Sequence, residues 1–148
     1  MNVEAKINAK GLKIPERKLG VGKIEPAVRS GKLVYTSGYT SRNHLGKVGR
    51  EFTKEQAYDG ARDCALGCLG AVKAIIGDLD KITRIVKVVG FVNCAEGFCD
   101  TPSVIHGCTD FLHEIFGEKG RHARSAIGVD QLPANSAVEI EMVVEVRD

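Results

Sequence analysis

Two periods alternate along the chain. From Val138 to Val146 the period is two: Val138, Ile140, Met142, Val144 and Val146 share one face, and Glu139, Glu141, Val143 and Glu145 the other. That pattern predicts a strand with one face on a core. Residues 82–93 are long and almost unbroken by polar positions, which predicts a central strand. Shorter strands are predicted at 27–29 and 33–38 around the turn Ser30-Gly31. A further strand over 124–129 is joined to the last one by a turn containing Leu132-Pro133. In it Ile127 and Val129 point one way, and Arg124, Ala126 and Gly128 the other. With both apolar rows turned to one core, Arg124 and Glu139 should emerge together on the opposite face.

Elsewhere the period lengthens to three and four. Thr53-Lys54-Glu55-Gln56 is a capping box, and Ala57, Ala61, Cys64, Ala65, Cys68, Val72 and Ile76 follow at helical spacing. A second helix has Pro102 in its first turn and the stripe Val104, Cys108, Phe111, Leu112, Ile115 and Phe116, ending where glycines recur at 117 and 120. A short helix is predicted over 3–10, stopped by Gly11, and 39–49 reads as a loop. The main order is strand, strand, helix, strand, helix, strand, strand. This is an α+β chain with a mixed sheet whose two helices can cover only one face. The other face would carry Arg124, Glu139, Glu141 and Glu145, which predicts association of subunits around shared clefts.

At 148 residues the chain is expected to form a single domain, 1–148, with 1–25 as an N-terminal extension. No apolar run reaches the ~18–20 residues that cross a bilayer, and the first residues lack the order of a secretory signal. Five cysteines without a CxxC pair suit free thiols in a reducing, cytoplasmic setting, with Cys64 and Cys68 in the core. A net charge of +2, with scattered basic residues, gives no footprint for nucleic acid and no polybasic membrane anchor. The four histidines form no metal-binding pattern, so no metal site is expected, and no cofactor fingerprint appears. His106 and His113 read as part of a solvated helix face. Ser37 is either a nucleophile or a strand end that needs a small residue.

Arg124 stands out. A guanidinium flanked by small residues and followed by an apolar strand needs an anion. It has two candidates: a structural bridge to Glu139 or Glu141, or the carboxylate of a substrate.

The segments Val34-Tyr35-Thr36-Ser37-Gly38, His122-Ala123-Arg124-Ser125-Ala126, Leu132-Pro133 and Val138-Glu139-Ile140-Glu141 resemble the signature of the Rid family. These are the reactive intermediate (imine) deaminases, formerly called the YjgF family and often labelled translation inhibitor or L-PSP endoribonuclease. The likeness runs from about Pro26 to Val146, and Phe116-Gly117-Glu118 before Gly120-Arg121-His122-Ala123-Arg124 resembles one small-protein subgroup. The resemblance implies a chorismate-mutase-like fold and a homotrimer with sites at the subunit interfaces. It implies cofactor-free hydrolysis of enamines and 2-imino acids to 2-keto acids and ammonia. By position, Arg124 would clamp the substrate carboxylate and Glu139 would orient or activate water. Ser37, Gly38 and the backbone amide of Ala126 would complete the pocket. The chain departs from the best-known deaminases in having Ile24 near a family Tyr, Ala126 at a family Cys, and no Asn between Thr101 and Gly117. Two other functions stay open. One is a trimer that binds a small carboxylate such as a 2-keto acid as a regulator, without turnover. The other is the ribonuclease label, which the scattered charge does not favour.

Overall fold

In the computed structural model, which describes residues 2–148, six strands form one mixed sheet. They are Ala27–Ser30 (β1), Leu33–Thr36 (β2), Tyr39–Thr40 (β3), Ile82–Asn93 (β4), Ala123–Val129 (β5) and Val138–Val146 (β6). The helices are Val3–Ala9 (α1), Lys54–Ile76 (α2) and Thr101–Phe116 (α3). The strand order is β1-β2-β6-β4-β5, with β3 pairing β6 beside β2. Only β4 and β5 run parallel. This is the chorismate-mutase-like arrangement, with α2 and α3 packed on one face of the sheet.

The period-two reading of β6 holds residue by residue. Val138, Ile140, Met142, Val144 and Val146 are buried against the helices, while Glu139, Glu141, Val143 and Glu145 are half-buried on the uncovered face. The long β4 is central, between β6 and β5. The final two strands are therefore not neighbours, although one turn joins them: β4 lies between. The 39–49 segment is mostly loop, but Tyr39 and Thr40 add two residues of pairing to β6.

Both long helices begin and end where the sequence signals. Gln56 donates its amide N–H to Thr53 Oγ1 at 3.2 Å and Thr53 donates its own to Gln56 Oε1 at 2.9 Å. Such a cap stabilises by about 1 kcal/mol. α3 starts with Pro102 in its first turn and stops at Gly117. Its position over the sheet depends on Gly90, in the middle of β4. A side chain there would collide with Ile105, so the missing Cβ lets α3 settle onto β4. This brings the polar flank of α3 alongside β5.

The N-terminal residues lie on the domain. Val3 and Ile7 of α1 are buried, Val3 donates its N–H to Asp80 Oδ1 at 2.7 Å, and Arg17 stacks on the Tyr39 ring. Cys64 and Cys68 are buried free thiols as expected, and burial pushes the Cys68 thiol up to about 12. No helix among the described residues is long and apolar enough to cross a membrane.

Candidate functional site

Arg124 is in β5 opposite Val88 of β4, which in turn lies opposite Met142 of β6. All three side chains are on the helix-covered side of the sheet. This reverses the expected orientation of β5, and the cause is local. β5 is an edge strand, and what α3 presents to it leaves room only for small groups. Thr101 Oγ1 donates to the carbonyl of Ala126 at 3.1 Å, and a side chain at Gly128 would meet Cys94 and Thr101. Ala126 and Gly128 therefore face the helix with Arg124, and Ile127 is 45% exposed on the uncovered face.

The Arg124 guanidinium is held by α3. Its Nη1 donates to His106 Nδ1 at 2.9 Å and to Thr109 Oγ1 at 3.1 Å. Thr109 has one hydroxyl proton and Arg124 cannot accept it, so it goes to His122 Nε2, 3.1 Å away. His122 Nδ1 then donates to the carbonyl of Gly120 at 2.6 Å. Burial keeps His122 below the usual imidazole range, which suits the neutral tautomer that this chain of bonds requires. Among the described residues Arg124 makes no ion pair, and its Nε and Nη2 have no partner. The expected bridge to Glu139 or Glu141 is absent within the chain. One edge of the fork is anchored by neutral acceptors, and the other makes no bond among the described residues.

His106, Thr109, His113, Arg121, His122 and Arg124 line a cleft of about 290 Å³. A hollow of about 500 Å³ between residues 13–17 and the end of α2 contains none of the expected site residues. His106 and His113 are exposed, as a solvated helix face requires, and they also form one wall of the arginine's cleft. Their spacing with Thr109, three and then four residues, puts all three on one helix side. That spacing was visible in the sequence, but the return of β5 beside it was not.

Glu139 lies on the other face. It pairs with Phe91 of β4 and Thr40 of β3. Its carboxylate rests against the Cα of Gly38, where any Cβ would overlap Glu139 Oε2. Burial, helped by the charge of Glu141, raises its pKa above the ordinary carboxylate range. Ser37 is beside it but committed: its Oγ donates to the carbonyl of Glu25 at 2.6 Å and its N–H to that of Pro26 at 2.8 Å. Ser37 thus directly follows the end of β2 with its hydroxyl proton already engaged. Ile24, in the loop just before, is 75% exposed.

The expected residues thus fall into two groups within one chain. Ser37, Gly38 and Glu139 gather on the uncovered face near β3, while Arg124 and Ala126 are on the helix side of the far edge strand. One group holds a cation with free donors, and the other a carboxylate of raised pKa.

Comparison with known proteins bears on what these groups do. Residues 4–146 match the family described as "YjgF/chorismate_mutase-like, putative endoribonuclease". The chain is 35% identical to "Protein TCP17" of Trypanosoma cruzi over 152 aligned positions, covering 99% of this chain and 95% of that protein. It is 32% identical to the 2-iminobutanoate/2-iminopropanoate deaminase of Dermatophagoides farinae over 128 positions, 86% of this chain and 88% of that one. Among solved structures, Atu1372 of Agrobacterium tumefaciens superposes with a TM-score of 0.92 at 35% identity, covering 99% and 94% of the two chains.

Proposed function

The chain belongs to the YjgF/chorismate-mutase-like (Rid) family, and on that footing we propose that it hydrolyses enamines and 2-imino acids to 2-keto acids and ammonia. The observation that carries this reading is the unpaired arginine. Arg124 is fixed by His106 and Thr109, both neutral, with its Nε–Nη2 edge free to take a carboxylate bidentately. The relative from Dermatophagoides farinae, named for deamination of 2-imino acids, supports the choice of reaction.

The two groups meet if copies associate head to tail, Arg124 of one facing Glu139 of the next. A ring closed in this way is a cyclic homo-oligomer, here a trimer with three clefts. The uncovered sheet face suits burial between subunits, since Val28, Tyr35 and Ile127 are exposed on it.

In such a cleft Arg124 holds the carboxylate of the 2-imino acid, and the imine carbon beside it is already electrophilic. The Glu139 carboxylate takes a proton from water as its oxygen attacks that carbon, giving a carbinolamine. That proton passes to the imine nitrogen to complete the neutral carbinolamine. Glu139 then takes the carbinolamine hydroxyl proton and delivers it to the amine as the C–N bond breaks, and ammonia and the 2-keto acid separate. A carboxyl group of raised pKa suits both halves of this transfer. Gly38 leaves the carboxylate room, and the backbone amide of Ala126 adds a donor near the bound acid. The scheme requires neither a cofactor nor a metal, and holding water beside the carbon supplies much of the acceleration.

A second reading, carboxylate binding without turnover, is favoured by Ile24, an exposed aliphatic side chain near the family Tyr. One assay separates the two. An amino-acid oxidase generates 2-imino acids, and keto-acid release is timed with wild type and with Arg124→Ala. Acceleration by wild type alone is expected. If neither protein accelerates release but wild type still binds 2-oxobutanoate, the catalytic reading is overturned in favour of the binding one.

A further inference from the structure

We propose that the cleft beyond Arg124 is a second anion subsite, so that the acid bound by this protein carries two anionic groups. This rests on the reading above, in which Arg124 takes the first carboxylate, and it narrows the substrate class.

Hydrogen-bond direction carries the inference. His106 Nδ1 accepts from Arg124, which leaves the ring's proton on Nε2 as a donor. Thr109 gives its proton to His122, and His122 gives its own to Gly120, so neither brings a negative charge to the cleft. What remains points one way: the Nε–Nη2 edge of Arg124, the Nε2–H of His106, the guanidinium of Arg121 and the ring of His113. Among the described residues of the chain itself, no carboxylate lines the cleft. The nearest acid to Arg121 is Glu118 at 4.0 Å, with side chains 68% and 91% exposed, a loose pair that a bound anion readily replaces.

Distance fits the proposal too. Arg121 and Arg124 are three residues apart on an extended run, about 10 Å between Cα atoms, with one cleft of about 290 Å³ between their side chains. A monocarboxylic acid on Arg124 would leave Arg121 and His113 facing water. An acid with a second carboxylate, or a phosphate ester of a small acid, engages both ends. The shared chemistry is a dianion of small aliphatic length.

The probes are stable acids: 2-oxobutanoate with one charge, 2-oxoglutarate with two carboxylates, and phosphoglycolate with a carboxylate and a phosphate. Calorimetric titration of the full chain should show at least one dianion binding tenfold or more tighter than 2-oxobutanoate, and whichever is tighter identifies the second group. Arg121→Gln should bring that ratio close to one, and Arg121→Lys should retain part of it because the charge remains. Equal affinities in wild type, or a ratio that survives Arg121→Gln combined with His113→Gln, overturn the subsite. If 2-oxobutanoate binding is lost in Arg124→Ala in that case, the proposed function is untouched. A dianion preference that persists in Arg124→Ala keeps the subsite and removes the clamp. Failure of all three acids to bind overturns both.

Discussion

One methyl group added at Gly38 tests the placement of Glu139. The backbone of Gly38 lies outside the left-handed region, so alanine meets no conformational penalty there. The new methyl would fall on Glu139 Oε2 and lie 2.9 Å from Cδ, where ordinary contact begins at 3.4 Å. The carboxyl carbon must then retreat by about 0.5 Å. Because the obstacle is the end of a flexible side chain, Gly38→Ala should cost at most about 1 kcal/mol in stability. Its effect on rate should be larger. A displacement of about 1 Å costs on the order of a hundredfold, so half that distance should cost roughly tenfold in kcat, with carboxylate affinity nearly unchanged. Gly31→Ala is the matched control. It has a φ of +61° with nothing within 4 Å of the added atom, and should lose about 1 kcal/mol or more through backbone strain while turning over normally. Urea unfolding gives the stabilities and the coupled oxidase assay the rates. Gly38→Ala at full wild-type rate refutes the reasoning. So does a Gly38→Ala protein several kcal/mol less stable but equally active.

Arg124→Ala should melt within a few degrees of wild type, because no ion pair within the chain is lost; collapse of the fold in circular dichroism would mean the arginine is structural after all. Glu139→Gln should lower kcat more than affinity, and an unchanged rate would remove its proton-transfer role. Its stability should also depend on pH. A carboxyl whose folded pKa is raised favours the folded state below its unfolded pKa and loses that contribution as pH rises through the folded value. Glu139→Gln should therefore gain stability relative to wild type at neutral pH, and the gap should close in acid. Thr109→Val removes the acceptor beside Arg124 and leaves His122 Nε2 without its donor. It should raise KM more than it lowers kcat and cost about 1 kcal/mol; equal KM values would show that the hydroxyl does not position the guanidinium. Light scattering should report a trimer, and a clean monomer would undo a site shared between subunits.

Much of this architecture is legible in the chain because local chemistry and packing agree. The alternation of β6, the capping box before α2 and Pro102 at the start of α3 each signal one element, and the structure contains each. The direction of β5 could not be read in the same way. Turning Ile127 and Val129 inward is sound for a strand that a helix covers fully, but β5 is an edge strand, and α3 meets it through Thr101 and the polar flank at His106 and Thr109. Small residues face such a contact, and the β-branched residue turns away. The neighbour of the exposed histidines was hidden for a related reason. Sequence spacing puts His106, Thr109 and His113 on one side of α3, but only the parallel return of β5 beside β4 brings an arginine to that side.

On the proposed reading, with Arg124 and Glu139 on opposite faces of its sheet, no copy of this chain would own a complete reaction centre. Loss of function then becomes a property of neighbours in the ring. A copy with Arg124→Ala still lends its Glu139 to one side, and a copy with Glu139→Gln still lends its Arg124 to the other. Co-assembled in equal amounts, two individually silent proteins would rebuild intact clefts at about a quarter of the positions. A chain with both substitutions would do the reverse and silence two clefts wherever it joined a ring. Null alleles of the two different kinds would complement each other, and a single doubly mutated allele would act as a dominant inhibitor.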